Sequence, residues 1–262
     1  MEIQDDLRLT VGADGIAELV LARPAKKNAV TQGMWQAIPG ILSRLAEDDT
    51  TRVLVVTGEG SDFSAGADIG EFDRVRGDAE SARAYEASNS AAFAAFRDAP
   101  FPTLAAISGI CFGGGCGIAA ACDLRIASPE AVFAVPAGRL GLAYPADAVT
   151  DLVHALGQAQ ARFMTYTGAR IDAGRALEAG FLLEIVANGH LAERAREIAG
   201  AIAASAPMSV RASKAAIRAV LTGNGADLDA ARRLGDATFD SADYAEGRAA
   251  FGERRSPVFT GR

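Results

Sequence analysis

The sequence predicts an α/β fold followed by a helical C-terminal region. Short apolar runs alternate with stretches whose apolar residues recur at helical spacing over the first part of the chain. Helical patterns dominate after about residue 147. Strands separated by helices are typical of a sheet whose parallel strands are joined by right-handed crossovers. We therefore expect an α/β core at residues 1–204 and a helical region at residues 205–262 that covers a neighbouring subunit.

The first half of the chain alternates strand and helix. Residues 16–21 (Ile-Ala-Glu-Leu-Val-Leu) predict a strand, and residues 31–45 carry apolar side chains at helical spacing. Residues 53–57 are a short β-branched run that ends in a glycine-rich turn, which predicts a buried strand. A helix over residues 79–96 ends before two prolines, and another buried strand follows at residues 103–108.

The remaining elements follow a cluster of three glycines at residues 113–115. Residues 116–121 predict a short helix, because they are apolar and rich in alanine. Short apolar runs predict strands at residues 124–127, 132–134 and 183–186. Helical spacing predicts further helices, ahead of a charged tail, at residues 148–156, 158–166, 172–179, 191–204, 208–221 and 228–239.

Composition and charge exclude several classes of protein. Half of the 262 residues are hydrophobic, as in ordinary globular proteins, and the net charge is −7. A negative charge argues against nucleic acid or an anionic membrane as the partner. The apolar runs are far shorter than the ~20 residues of a membrane helix. The N-terminus lacks the cationic and apolar segments of a signal peptide, so we expect a cytoplasmic protein.

Cysteine and histidine usage gives no sign of a metal centre. Cys111, Cys116 and Cys122 are too few for a disulfide framework. His154 and His190 are far in sequence from these cysteines and from each other, so no metal-ligand spacing occurs. We expect reduced, buried thiols and no metal site.

Two loops place small residues directly after predicted strands. One is Phe-Ser-Ala-Gly-Ala-Asp at residues 63–68, and the other holds the glycine cluster at residues 109–117. A triple glycine between a strand and a helix lets backbone N–H groups point outward at a helix N-terminus, where negative charge is stabilised. Two such loops side by side would form an oxyanion hole. The alternative for the second loop is a tight turn with close packing and no ligand.

Other motifs for phosphates and nucleophiles are lacking. The glycines from Gly115 fit the dinucleotide fingerprint only if forced, because no acidic residue follows at the required distance. The sequence holds neither the glycine-rich phosphate loop of ATPases nor the nucleophile elbow of serine hydrolases. The sequence therefore lacks the usual motifs for nicotinamide binding, ATP hydrolysis and serine-hydrolase chemistry.

Short motifs are spread over nearly the whole chain: Arg-Pro-Ala-Lys-Lys-Asn-Ala at 23–29, Val-Thr-Gly at 56–58, residues 63–68, Gly-Gly-Gly-Cys at 113–116, Cys-Asp-Leu at 122–124, Thr-Gly at 167–168, Asp-Ala at 172–173, Ala-Gly-Phe-Leu at 179–182 and Ser-Lys at 213–214. Through these motifs the chain resembles the crotonase (enoyl-CoA hydratase/isomerase) superfamily. Together these motifs are far more specific than any one of them. The resemblance implies a spiral of ββα units with a C-terminal helical trimerisation region, assembled as a homotrimer or a dimer of trimers.

The resemblance also implies a ligand and a site. The core at residues 1–204 would bind an acyl-CoA thioester, and the region at residues 205–262 would serve oligomerisation. The thioester oxygen would accept hydrogen bonds from the backbone N–H groups of Ala67 and Gly114. No cofactor is expected, since coenzyme A is part of the substrate.

Coenzyme A would run past the two loops. By the resemblance, the residues along its path are Ala65, Gly66, Asp68, Ile69 and Gly113. Lys26 or Lys27 would lie near its phosphates, although a solvated surface pair is an equal alternative for these two lysines.

The sequence departs from the family at its catalytic carboxylates. Hydratases of this family use two glutamates flanking a water, and the corresponding positions hold Gly117 and Ala137. Neither side chain is able to move a proton. Two nearby residues are candidates to replace them, Asp147 as a base or nucleophile and Tyr144 as an acid or hydrogen-bond donor. The alternatives are that Asp147 caps the following helix and that Tyr144 packs at the rim.

The sequence therefore predicts an acyl-CoA-processing enzyme that stabilises a thioester enolate. Hydration or isomerisation of an enoyl-CoA is the reaction typical of the family. The missing glutamates leave three alternatives: an acyl-CoA hydrolase, another reaction of the superfamily, or a catalytically silent acyl-CoA-binding protein.

Overall fold

The computed structural model describes residues 2–4 and 6–262. Its strands are β1 (Glu2–Gln4), β2 (Leu7–Val11), β3 (Ile16–Leu21), β4 (Val53–Gly58), β5 (Thr103–Ile107), β6 (Ile110–Phe112), β7 (Leu124–Ala127), β8 (Val132–Ala134), β9 (Arg170–Asp172) and β10 (Glu184–Ile185). Its α-helices are α1 (Gln32–Glu47), α2 (Phe72–Val75), α3 (Ala79–Asp98), α4 (Gly114–Ala121), α5 (Ala146–Thr167), α6 (Ala173–Glu178), α7 (Leu191–Ala203), α8 (Pro207–Thr222), α9 (Gly225–Ala237) and α10 (Ala242–Glu253).

The strands form two sheets. The larger has the order β1-β2-β3-β4-β5-β7-β10, with parallel pairing from β3 onward and an antiparallel ribbon at the β1 edge. The smaller has the order β6-β8-β9 and follows directly after the end of β5. The expected α/β core with parallel strands is confirmed.

Alternating side chains of the large sheet pack into two apolar clusters. On one face, Leu19, Val56 and Ala105 join a cluster that includes buried residues of α1, α3, α4 and α5. On the other face, Val55 and Leu104 pack with α7. The sheet is therefore covered by helices on both faces, as parallel sheets require.

Long α5 contains a break that the sequence predicts. Separate helices at residues 148–156 and 158–166 are expected, and Gly157 has the non-helical dihedrals φ 73° and ψ 160°. The helix therefore bends between two helical halves at this glycine.

The C-terminal helices lie apart from both clusters. Among the described residues, neither cluster contains a core member beyond residue 199. The expected charged tail is wrong in part, because residues 242–253 form α10. No helix in the described part of the chain is long and apolar enough to cross a membrane.

Candidate active site

The two small-residue loops meet at the carboxyl ends of β4 and β5. The N–H of Ser64 donates to the carbonyl of Ile110 at 2.9 Å, and the N–H of Phe112 donates to the carbonyl of Ser64 at 2.9 Å. Gly66 has φ +89°, and a Cβ atom there would lie 2.5 Å from the Phe112 carbonyl oxygen. Only glycine satisfies both the dihedral and this close approach.

Two backbone N–H groups come together where the loops meet. In the described chain, neither Ala67 nor Gly114 donates its N–H to a protein acceptor. A Cβ atom on Gly114 would lie 3.5 Å from the Ala67 nitrogen, which places the two donors side by side. Gly114 is also the first residue of α4, where unpaired N–H groups and the helix dipole favour negative charge.

Each of these donors belongs to a peptide group whose carbonyl oxygen accepts a hydrogen bond. The carbonyl of Gly66 accepts a hydrogen bond from the N–H of Val30 at 2.8 Å. The carbonyl of Gly113 accepts one from the hydroxyl of Tyr144 at 2.8 Å. In a trans peptide the C=O and the next N–H point in opposite directions. Both bonds therefore aim the N–H groups of Ala67 and Gly114 away from the protein scaffold.

A cavity of about 560 Å³ opens in front of these donors. The surface of its walls is largely apolar, although several charged and polar residues also line it. The lining residues are Lys26, Ala29, Ala65, Ala67, Asp68, Ile69, Gly70, Phe72, Arg76, Glu86, Asn89, Phe93, Phe112, Gly113, Gly114, Pro136, Ala137, Arg139, Leu140, Leu142, Tyr144 and Pro145. A mainly apolar ligand that also carries polar groups suits such a cavity.

Most of the expected ligand-binding residues lie on this cavity. Lys26, Ala65, Asp68, Ile69 and Gly113 line it. Gly66 does not line it, but a Cβ atom there would lie 2.8 Å from the Gly114 nitrogen. Lys27 does not line the cavity; its side chain is 58% exposed and lies 4.0 Å from a carboxylate oxygen of Asp62.

The Asp68 carboxylate is already engaged within the protein. It accepts a hydrogen bond from the Arg23 guanidinium at 2.9 Å and another from the N–H of Gly70 at 3.0 Å. Burial alone would raise the pKa of Asp68, but these hydrogen bonds outweigh it and the pKa is lowered. The residue therefore stays ionised and fixes the turn rather than moving a proton.

The family is decided by comparison with known proteins. A model of the enoyl-CoA hydratase/isomerase family matches residues 12–262. The chain belongs to this family. YngF of Bacillus subtilis, named for the same family, is 34% identical over 262 residues, covering 98% of this chain and 99% of YngF. The carnitinyl-CoA dehydratase of Proteus mirabilis is 34% identical over 253 residues, covering 94% and 95% of the two chains.

Solved structures agree with this assignment. A crystal structure from Hyphomonas neptunium, assigned to the enoyl-CoA hydratase/isomerase family, matches with a TM-score of 0.92 and 36% identity over 98% of each chain. The protein is therefore an enzyme of the enoyl-CoA hydratase/isomerase family with a crotonase fold.

In this family member, Gly117 leaves room for other side chains. A Cβ atom at Gly117 would lie 2.5 Å from the Phe93 ring and 2.7 Å from the Tyr144 hydroxyl. The space that a side chain at this position would need is thus taken by Phe93 and Tyr144. Ala137 does line the cavity, in a short 3-10 turn, but its methyl group has no ionisable proton to transfer.

The four predicted catalytic residues do not all come together. Ala67, Gly114 and Tyr144 share the cavity, and burial raises the pKa of the Tyr144 phenol well above its usual value. Asp147 is exposed in the first turn of α5 and lines a separate groove with Asp151 and His154. The sequence places Asp147 close along the chain, but the direction of the helix carries its side chain away from the cavity.

One face of α3 was not predicted to take part in the site. Glu86, Asn89 and Phe93 recur at the spacing i, i+3 and i+7 and all line the cavity. Glu86 accepts a hydrogen bond from the Arg76 guanidinium at 2.7 Å. The signal in the sequence is an asparagine within the apolar stripe of a buried helix, which is unusual unless its amide has a partner.

Proposed function

We propose that the protein converts acyl-CoA thioesters through an enolate bound by the N–H groups of Ala67 and Gly114. The adjacent free donors at the end of two loops carry this proposal. As the thioester becomes an enolate, charge accumulates on its oxygen, and two fixed donors stabilise that charge more than the neutral carbonyl. Apolar walls keep the local dielectric low, which strengthens both hydrogen bonds.

The coenzyme A portion would enter along the first loop. Ala65, Gly66, Ile69 and Gly113 supply small or apolar contacts there, while Asp68 holds the loop through Arg23. Lys26 lines the cavity and offers a cation to the phosphates, and exposed Lys27 is its neighbour in the chain. No cofactor is needed for this chemistry, because the thioester itself supplies the electron sink.

The reaction we propose is hydration or isomerisation of an enoyl-CoA. In hydration, the oxygen of water bonds to C3 as the water gives up one proton, and the enolate that forms takes a proton at C2. In isomerisation, a proton leaves one carbon of the acyl chain and another arrives two carbons away. Both reactions pass through the charged oxygen that Ala67 and Gly114 would bind, and the names of the relatives support this class.

A silent acyl-CoA-binding protein is the competing candidate. Of the residues that line the cavity in the described chain, Asp68 and Glu86 carry carboxylates, and each is paired with an arginine. No lining carboxylate is thus free to act as the usual base, which favours slow or absent turnover. Tyr144 also lines the cavity, and its hydroxyl carries a proton.

Turnover of a thioester panel separates these candidates. The panel holds saturated, α,β-unsaturated, β,γ-unsaturated and 3-hydroxyacyl-CoA, analysed by mass spectrometry after chromatographic separation. Gain of water or movement of the double bond supports the proposal, and free coenzyme A identifies a hydrolase. Binding without conversion identifies the silent protein.

The oxyanion hole itself is tested with a matched pair of variants. Any Cβ at Gly114 meets the Trp35 ring at 2.8 Å, so Gly114→Ala and Gly114→Pro share this contact. Only proline removes the N–H, at a helix position that accepts proline. We expect Gly114→Pro to turn over ~10²–10³-fold more slowly than Gly114→Ala. Equal rates in two folded variants would contradict the assignment.

We also propose that the protein assembles as a homotrimer or a dimer of trimers through residues 205–262. Exposed apolar side chains of α8 to α10 support this proposal, since monomeric proteins rarely expose so many apolar side chains together. They are Ile217, Val220, Leu221, Leu228, Leu234, Tyr244 and Phe251.

A further inference from the structure

The loop at residues 63–68 leaves one backbone donor free. Four of its N–H groups donate to backbone carbonyls at 2.7–2.9 Å: Phe63 to Ser108, Ser64 to Ile110, Ala65 to Lys27 and Asp68 to Val30. The N–H of Gly66 donates instead to the side-chain oxygen of Ser64, at 3.1 Å. In the described chain, Ala67 alone in this loop has an N–H without a protein acceptor. The loop therefore presents a single donor to the cavity.

The Ser64 hydroxyl is oriented by a hydrogen bond of its own. It donates to the carbonyl of Asn28 at 2.8 Å. A hydroxyl has one hydrogen to donate, so this bond leaves the oxygen lone pairs for the Gly66 N–H. Asn28 is anchored in turn, since its amide nitrogen donates to the carbonyls of Glu59 at 2.9 Å and Asp62 at 2.6 Å. Ser64 is fully buried and does not line the cavity, so its hydroxyl acts within the protein scaffold.

Gly66 connects this anchored hydroxyl to the free donor. Its φ of +89° lies in the region that favours glycine, and glycine has more backbone freedom than any other residue. The Ser64 hydroxyl fixes the peptide before Gly66. The N–H of Val30 fixes the peptide after it, by donating to the Gly66 carbonyl at 2.8 Å. Because the Ala67 N–H belongs to this second peptide, the two bonds together set its direction.

We propose that Ser64 is a positioning residue for the oxyanion hole: its hydroxyl restrains Gly66 and thereby aims the Ala67 N–H at the thioester oxygen. Ser64 itself touches no substrate atom. A hydrogen bond weakens as its angle departs from linearity, so a donor that swings with Gly66 stabilises charge less well. The loss is greatest for the enolate, whose charged oxygen depends most on fixed donors. This inference rests on the proposed binding of a thioester by Ala67 and Gly114.

Isotope-edited infrared spectroscopy of a bound thioester tests this role without turnover. The probe is butanoyl-CoA labelled with carbon-13 at the thioester carbonyl, a saturated chain that undergoes neither hydration nor isomerisation. Hydrogen bonds from Ala67 and Gly114 should lower the carbonyl stretching frequency in the wild-type complex. In Ser64→Ala this lowering should be smaller. The dissociation constant should change by less than about threefold, because the other contacts of coenzyme A remain.

Steady-state kinetics on the thioester that the protein converts gives a second measure. We expect kcat of Ser64→Ala to fall by about tenfold to a hundredfold with little change in KM, since a misdirected donor costs less than a missing one. A serine that only stabilised the fold would lower the melting temperature and leave kcat and the infrared shift unchanged. Ser64→Cys, whose thiol is a weaker donor and acceptor, should give intermediate values of both.

The matched control is Ser128→Ala. Ser128 is also buried, at 3% exposed, but its hydroxyl has no hydrogen-bond partner in the described part of the chain and it does not line the cavity. This variant should keep the wild-type infrared shift and kcat. Trp35 is the only tryptophan of the chain and its ring lies beside Gly114, so its emission checks that each variant keeps the packing of the second loop.

The outcomes separate this inference from the function on which it rests. An infrared shift that persists in Ser64→Ala, or an equal loss of the shift in Ser128→Ala, would overturn the role of Ser64 while the oxyanion hole stands. A carbonyl frequency that is not lowered in the wild-type complex, or failure of the thioester to bind, would overturn the oxyanion hole and this inference together.

Discussion

Ala67 and Gly114 owe their orientation to hydrogen bonds made by the residue before each of them. Val30 holds the Gly66 carbonyl, and Tyr144 holds the Gly113 carbonyl. A hydrogen bond to the carbonyl of a peptide also polarises its N–H and makes it a better donor. Tyr144 is therefore placed to act through the peptide group rather than on the substrate, and Gly117 provides the space that its hydroxyl occupies.

Replacing Tyr144 by phenylalanine shows whether its hydroxyl positions the peptide group or transfers a proton to the substrate. If Tyr144 only positions the peptide, kcat should fall about tenfold with little change in KM, as the loss of one hydrogen bond predicts. If its hydroxyl transfers a proton, the loss should be ~10²–10⁴-fold. Steady-state kinetics on the converted thioester measures this. Asp147→Asn, outside the cavity, is the control and should change kcat less than threefold.

Ionisation of buried Tyr85 is expected to lower the stability of the protein at alkaline pH. Its hydroxyl accepts a hydrogen bond from the Trp35 indole, and burial raises its pKa to about 12. The folded state therefore keeps its proton between pH ~10, where the free side chain ionises, and about pH 12. Because the unfolded state binds fewer protons over this range, stability contributed by Tyr85 is full below pH ~10 and is lost as the pH rises.

Urea unfolding at several alkaline pH values checks this expectation. The urea concentration at the unfolding midpoint should decrease as the pH rises from ~10 to ~12, and it should decrease less steeply in Tyr85→Phe. That variant should also be less stable at pH 7 by about 1–3 kcal/mol, because the buried Trp35 N–H loses its acceptor. An equal pH slope in both proteins would assign the effect to other groups, such as buried Cys122.

At the scale of elements, α3 and the first turn of α5 face different parts of the surface near the site. One face of α3 lines the cavity, whereas the first turn of α5 faces a different groove. The break at Gly157 lets the second half of α5 change direction, whereas an unbroken helix would continue straight. The helix break is thus a built-in feature of the fold.

Gly157→Ala is expected to destabilise the protein by about 1–3 kcal/mol. Its φ of 73° with ψ of 160° is a region that residues with a Cβ strongly avoid, even though no other atom lies within 4 Å. Thermal unfolding measures the change. The matched control is Gly200→Ala near the end of α7, also without neighbours within 4 Å, which should stabilise by roughly 0.5–1 kcal/mol. Similar effects at both sites would argue against the strain.

At the scale of the whole molecule, the C-terminal helices leave an apolar surface open. Val220 is 78% and Phe251 is 87% exposed in the single chain. Helices that neither join the core clusters nor hide their own apolar residues need another surface to cover them. A second and third copy of the chain would do so.

Sedimentation velocity at micromolar concentration tests the assembly. The wild-type protein should sediment as a trimer or hexamer, and Val220→Glu combined with Phe251→Glu should shift it toward smaller species. The control is Val11→Lys, an exposed position on β2 in the α/β core. A wild-type monomer would contradict the proposed assembly.

The sequence predicted the larger elements because their patterns are local. The predicted bounds of β3, β7 and β8 coincide with the structure, and α3 and α4 differ only at their ends. The three-residue strands β6 and β9 escaped prediction, since they depend on pairing with β8 and are too short to show a period. Helix α10 was missed because its apolar and charged residues are mixed around its circumference.

By itself, the sequence determined the fold class and the two small-residue loops, and its resemblance to the family pointed to Ala67 and Gly114 as the groups that would bind an oxyanion. The fold class and the loops depend on residue types at fixed local spacing. Only the tertiary structure decided which side chains share the cavity: it left Asp147 outside, brought in Asn89 and Glu86, and set Tyr144 behind the Gly113 carbonyl. The reason is physical, since side chains distant in sequence meet through the packing of whole helices, and the direction of each helix decides which of its faces reaches the site.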